Sequence, residues 1–273
     1  MSLVPLSPSR ARFSDAVRND PVELGLACLL VGCEVEPELD VDLALTAVDA
    51  LAATARPFVP PDCAPAVAAE GLRRALGDQA GFAGGSFEDL RSSLLHEVLR
   101  RGTGLPLLLS VVWLEVAGRL GVPAYAVGLP GQVVVRIGRP RKEHVLVDPY
   151  SGGLPVPPDR LVGPNGAPLQ PQDLAPIPAV DLVLRLLTNV RALTARQPPS
   201  LAGAVTRLWA VDLSLLLPRH PVALRRERGE LLVRLGDHVG GAKELETYAL
   251  VVGNFEERKS ARRAAGRARA QLN

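Results

Sequence analysis

The chain has 273 residues, of which 47% are hydrophobic, 22% charged and 4% aromatic; this composition excludes a disordered chain and allows one or two domains with a buried core. Its 31 basic and 29 acidic residues leave a formal charge of +2, too little to announce nucleic acid or membrane as a partner by charge alone. The balance is uneven, with 6 basic and 14 acidic side chains in residues 1–90 and 6 basic and 2 acidic in residues 254–273.

The opening Met1–Arg10 lacks an apolar run of secretory-signal length. The longest apolar stretch, Leu105–Leu114, is broken by Ser110 and falls short of the ~20 residues that cross a bilayer. The expected address is the cytoplasm. Cys28, Cys33 and Cys63 form neither an even set nor a Cys-x-x-Cys pair, and are expected as reduced thiols.

Residues 14–34 predict one helix, and Asp42–Ala55 a second. Pro57, Pro60, Pro61 and Pro65 then break the chain, and a short helix over 64–76 leads to the glycine-rich loop Gly81–Gly85. That loop lacks the lysine of a phosphate-binding loop, and no cofactor or metal is expected. Ser86-Phe87-Glu88-Asp89 predicts a capping-box start for a helix ending at Gly102. From Pro106 to Leu120 apolar residues occupy most of the circumference, which predicts a helix buried against a sheet, with proline in its first turn. Strands are predicted over Ala124–Leu129, Val133–Ile137 and His144–Asp148, the last two joined by a hairpin loop over 138–142. Residues 154–178 carry 8 prolines and read as a linker or as irregular chain wrapped on the domain surface. Helices follow over 180–195 and 202–217, then a helix-turn-helix unit over Ala223–Val252 and a last, capping helix. Two such units are fewer than the ~3 a free solenoid needs, so they are expected to dock on the rest of the chain.

Several segments in this order carry a resemblance: Asp40-Val41-Asp42, Ser92-Ser93-Leu94-Leu95, Val98-Leu99-Arg100-Arg101, Gly104-Leu105-Pro106, Glu115 to Gly121, Pro130-Gly131, Asp148-Pro149-Tyr150 with Gly152-Gly153, Arg185 with Asn189, and Arg228-Gly229. Together they resemble the bacterial SirB family, in which a transglutaminase-like core precedes tetratricopeptide-like helices. The resemblance implies an α+β fold: N-terminal helices and a buried helix packed on an antiparallel sheet (a transglutaminase/papain-like core), followed by C-terminal tetratricopeptide-like helices. In active relatives of that core a Cys begins the buried helix, and a His and an Asp lie on neighbouring strands. A helix N-terminus lowers a thiol's pKa, an imidazole takes its proton, and a carboxylate orients the imidazole. The resemblance places Pro106 at the nucleophile position and Gln132 at the base position, and only Asp148 keeps its residue type. Proline is no nucleophile, and a neutral amide is no general base. A hairpin centred on Pro140 puts Gln132 opposite Asp148, so the amide is expected to donate to the carboxylate across ~5 Å between Cβ atoms.

Ser110 and Thr103 are the alternative nucleophiles. Against that, Ser110 is expected to bond a helix carbonyl and Thr103 to serve in a loop or cap. His144 is expected at a strand edge near Arg136; four residues at ~3.3 Å each put it too far from Asp148 to replace the missing imidazole. His96, His220 and His238 share no metal-ligand spacing and are expected to be solvated or locally bonded. Cys28 and Cys33 read as packed thiols and Cys63 as the accessible one. The basic run Arg258, Lys259, Arg262, Arg263, Arg267 and Arg269 lacks interleaved aromatic residues for stacking on bases, so a solvated capping helix, or one docking onto the acidic first 90 residues, is favoured.

The expected organisation is an N-terminal helical region (1–85), a transglutaminase-like core (86–153), a proline-rich linker (154–178) and a helical region (179–273). The expected function is a catalytically degenerate scaffold that binds a protein or peptide partner, its cleft formed by Leu105, Pro106, Gln132, Asp148 and Tyr150. The alternatives are an amide hydrolase or acyl transferase using Asp148, and a nucleic-acid-associated regulator acting through the basic C-terminal helix.

Overall fold

In the computed structural model, which describes residues 6–140, 142–163 and 167–271, the N-terminal region forms α1 (Pro8–Ala16), α2 (Leu24–Gly32) and α3 (Val41–Ala55). The single helix expected over 14–34 is therefore two. α1 starts earlier because Ser7 accepts the N–H of Arg10 and Pro8 suits the first turn. α2 is apolar, with Glu23 giving it no side-chain cap. Its N-terminus is satisfied from a distance, by Glu115 Oε1 accepting the N–H of Gly25 at 2.8 Å. A Cβ at Gly25 would lie 2.6 Å from the Glu115 carboxyl carbon, so glycine is what lets the carboxylate reach the helix end. Arg119 donates to Glu115 at 2.7 Å and also pairs with Asp49.

α4 (Pro65–Leu72) runs into a wider helical turn, Arg73–Gln79. β1 (Ala83–Gly84) then pairs in parallel with β2 (Thr103–Gly104). The capping box expected at Ser86 does not form. Ser86 instead makes a local turn with the N–H of Glu88, and Asp89 is engaged by the Arg91 N–H and by Arg101. The helix α5 therefore starts only at Leu95 (Leu95–Arg101), and it ends on left-handed Gly102, φ 67°. α6 (Pro106–Arg119) begins at Pro106 and is buried along most of its length. Its Trp113 meets Phe82 edge-on at 6.3 Å.

The main sheet has the order β3 (Ala124–Leu129), β4 (Gln132–Ile137), β5 (Val145–Asp148), β6 (Leu154–Pro155), antiparallel throughout. Val135 pairs with Val147 and Arg136 with Leu146, a register two residues from the one predicted. Gly138, at φ 119°, leaves the ladder directly after β4, while β5 begins only at Val145, so the turn is asymmetric about Pro140. The predicted loop includes Arg141, which lies outside the described residues. A shift of two preserves the faces. Tyr125, Val127, Leu129, Gln132, Val134, Arg136 and Leu146 share one face by register. On that face Val127, Leu129, Val134, Leu146 and Val156 form a cluster covered by Leu161, Leu169 and Leu174. The proline-rich stretch thus wraps the sheet. α6 packs on β3 and β4, and the Ser110 hydroxyl reaches the Val133 carbonyl.

The chain divides into two compact units, Met1–Leu186 and Leu187–Asn273, the division falling within α7 (Ala179–Arg196). The second unit continues with α8 (Leu201–Leu216), α9 (Ala223–Arg234), α10 (His238–Val251) and α11 (Phe255–Ala270). Ser200, Asp237 and Asn254 cap α8, α10 and α11, each accepting the N–H three residues on. α9 and α10 cross closely at two glycines: a Cβ on Gly229 would lie 2.8 Å from Leu245, and one on Gly241 2.8 Å from the Gly229 carbonyl. Among the described residues no helix is long and apolar enough to cross a membrane.

Candidate functional site

The segment after β5 is built around one buried carboxylate. Asp148 is 2% exposed, and its Oδ1 accepts the N–H of Tyr150 at 3.0 Å, capping the short helical turn Pro149–Ser151. Its Oδ2 accepts the Ser151 hydroxyl at 3.0 Å and Arg160 Nη1 at 2.9 Å. Gly152 and Gly153, at φ 70° and 86°, then turn the chain back into β6, a conformation that costs glycine little. The glycine-rich loop has a role in this arrangement. A Cβ on Gly84 would fall 2.4 Å from the Tyr150 ring, and the Gly85 carbonyl accepts the Tyr150 hydroxyl at 3.1 Å. Phe87 covers the ring from a centroid distance of 5.9 Å.

Gln132 and Asp148 are brought together, though not by the direct bond expected. Arg160 stands between them, donating Nη1 to Asp148 and Nη2 to Gln132 Oε1 at 2.5 Å. The amide therefore accepts where it was expected to donate. The register explains the difference, because the ladder continued by three residues beyond Val135–Val147 sets Gln132 opposite Tyr150 rather than Asp148. Arg160 was missed by the sequence reading. The signal was there: it is the sole basic residue in 154–178.

Leu105 and Pro106 sit at the start of α6. The N–H of Leu105 donates to Ser92, and the carbonyl of Pro106 accepts the Ser110 hydroxyl at 2.8 Å. Ser110 thus bonds a helix carbonyl as expected. Thr103 lies in the short strand β2 rather than in a loop or cap. His144 Nδ1 lies 2.9 Å from Arg136 Nη2, and Arg136 also stacks on the Tyr125 ring at 5.5 Å. His220 bonds the Leu217 carbonyl locally. His96 departs from expectation, being buried with its Nδ1 unpartnered among the described residues.

The three cysteines are free. Burial, with Glu115 nearby, pushes the Cys28 thiol far above its ordinary pKa, leaving it inert. Burial and Glu34 push Cys33 upward too. Cys63 lines a separate cavity of about 320 Å³ with Leu120, Ile137, Arg139 and Lys142. On α11, Lys259, Arg262, Arg263 and Arg267 are exposed, whereas Arg269 pairs with Glu246.

A buried helix on an antiparallel sheet, with a carboxylate at the end of a central strand and antiparallel helix pairs following, defines a transglutaminase-like core joined to tetratricopeptide-type helices. The chain belongs to the transglutaminase-like superfamily, whose pattern matches residues 42–188, while a tetratricopeptide repeat pattern matches residues 204–273. Its relatives are bacterial proteins named UPF0162. One from Xylella fastidiosa (strain 9a5c) is 30% identical, with 90% of this chain and 88% of that one covered. One from Pseudomonas aeruginosa is 31% identical over 73% and 75% of the two chains. The crystal structure of menin, described as revealing the binding site for Mixed Lineage Leukemia protein, aligns with a TM-score of 0.42 and 12% identity over 94% of this chain and 73% of that one. A likeness at that score carries no argument.

Proposed function

We propose that this protein is a catalytically degenerate member of its superfamily, acting in the cytoplasm as a scaffold or regulator that binds a protein or peptide. The observation that carries the reading is the state of Asp148. Its carboxylate is occupied by a backbone N–H, a hydroxyl and a guanidinium, so it holds a turn together instead of orienting a base. Pro106 and Gln132, at the positions where the resemblance puts nucleophile and base, support the same reading. So does Ser110, whose hydroxyl proton is directed at the Pro106 carbonyl. Helical repeats present extended surfaces to peptide segments, and α8 exposes Leu201 and Val205 four residues apart.

The test is a peptide-array screen of the full chain, followed by binding isotherms for its strongest ligands. Gln132→Ala tests the surface at the sheet end, where Gln132 meets Arg160, and Leu201→Asp with Val205→Asp tests the repeat surface. At least one of the two is expected to weaken binding about tenfold or more, the scale of losing one buried anchor. Ligands indifferent to both variants, or no ligand at all, would overturn the reading.

A further inference from the structure

We propose that Glu36, His96 and Glu97 form a binding site for one divalent transition-metal ion of the zinc type. One ligand atom from each side chain lies within 4.8 Å of the others. Glu36 comes from the segment between α2 and α3, and His96 and Glu97 come from the first turn of α5.

His96 carries the argument. It is 3% exposed, and its Nδ1 is buried without a partner among the described residues. Its Nε2 faces Glu36 Oε2 at 3.5 Å, beyond the ~3.2 Å of an N–H···O bond. Nδ1 packs against Gly32 on the far side of the ring and is not the ligand atom; Nε2, turned to the carboxylate beyond hydrogen-bond distance, is the atom for which an unseen ion is one of the standard explanations. Two donors bound to a tetrahedral ion at ~2.0–2.1 Å stand ~3.4 Å apart. The observed separation therefore suits an ion between nitrogen and carboxylate better than a direct bond. One imidazole with two carboxylates suits zinc-type ions over calcium or magnesium, which take oxygen ligands almost exclusively.

Arg100 is the competitor. It donates to both oxygens of Glu36, each at 3.0 Å, and to Glu97 at 3.1 Å. Its side chain is half exposed, and pairs of that kind add little stability, so an ion can displace the guanidinium into water. The bound ion then ties the α2–α3 segment to α5.

The experiment takes the full chain, stripped of metal, and titrates Zn²⁺ against a chromogenic chelator and Co²⁺ by visible absorption. The expected result is one ion per chain, with a Co²⁺ spectrum free of the sulfur charge-transfer band that Cys33 or Cys63 would give. Glu36→Gln or Glu97→Gln should weaken binding about tenfold or more, and Arg100→Gln should tighten it by a similar factor. Zn²⁺ should also raise the melting temperature of the wild type and not of Glu36→Gln. Glu36 and Arg100 lie at the surface, so these variants retain the fold, as circular dichroism verifies. No stoichiometric binding, a thiolate band, or an affinity unmoved by Glu36→Gln and Arg100→Gln would overturn the proposal.

Discussion

At the scale of single residues, the Asp148-Pro149-Tyr150 segment is explained by what each atom holds. Asp148 satisfies three donors, two of them within its own turn. Asp148→Ala is expected to cost about 2–3 kcal/mol in urea denaturation, the scale of lost hydrogen bonds to a charged group. Arg160→Ala should cost less, about 1 kcal/mol, because the guanidinium is substantially exposed and its pairing is weakened by solvent. Equal losses for the two variants would mean that the ion pair, not the turn, is what Asp148 supports. Glu115 follows the same logic from outside its own helix. Glu115→Ala leaves the Gly25 N–H without its cap and is expected to cost about 1–2 kcal/mol, measured the same way. The two residues differed in legibility. Asp148 stood out because Asp148-Pro149-Tyr150 with Gly152-Gly153 is among the segments that carry the family resemblance, whereas Arg160 lies in a proline-rich stretch 12 and 28 residues from its partners. No periodicity marks such a contact.

At the scale of elements, the helices of the second unit were legible because their signals are local. Ser200, Asp237 and Asn254 stand where caps belong, and Leu235-Gly236-Asp237 reads as the turn that it is. The same method joined α1 to α2, since the apolar run of α2 looks like a continuation of the helix before it; its cap, Glu115, is supplied by another element and leaves no local trace. The strand faces were also legible, but not the register, which depends on where Gly138 departs from the ladder. The close crossing of α9 and α10 gives the element-scale prediction. Gly229→Ala pushes a methyl against Leu245 and the Gly241 carbonyl, and the expected loss is about 1–3 kcal/mol, the usual cost of overpacking. A melting temperature unchanged by Gly229→Ala would contradict the packing described for these helices.

At the scale of the whole molecule, charge organises the second unit. Arg191 and Arg207 both bond Glu227, and Arg228 bridges Asp212 and Glu244. Burial alone would raise the Glu227 carboxyl's pKa, but the two arginines outweigh it and hold the group below its ordinary value near 4.5. A carboxyl depressed in the folded state contributes its stability fully above the unfolded value and loses it as pH falls through the folded one. The melting temperature should therefore drop below about pH 4.5, and Glu227→Gln should reduce that drop while lowering stability at neutral pH. The same global view bears on the proposed function, because the core keeps the superfamily's framework while Asp148 holds its own turn. The most direct measurement is intact-mass analysis of the full chain after exposure to acyl and thiol electrophiles, with adducts mapped to residues. Binding without catalysis predicts adducts confined to the partly exposed thiols Cys33 and Cys63. Stoichiometric labelling of Ser110 or Thr103 would contradict it and name a nucleophile.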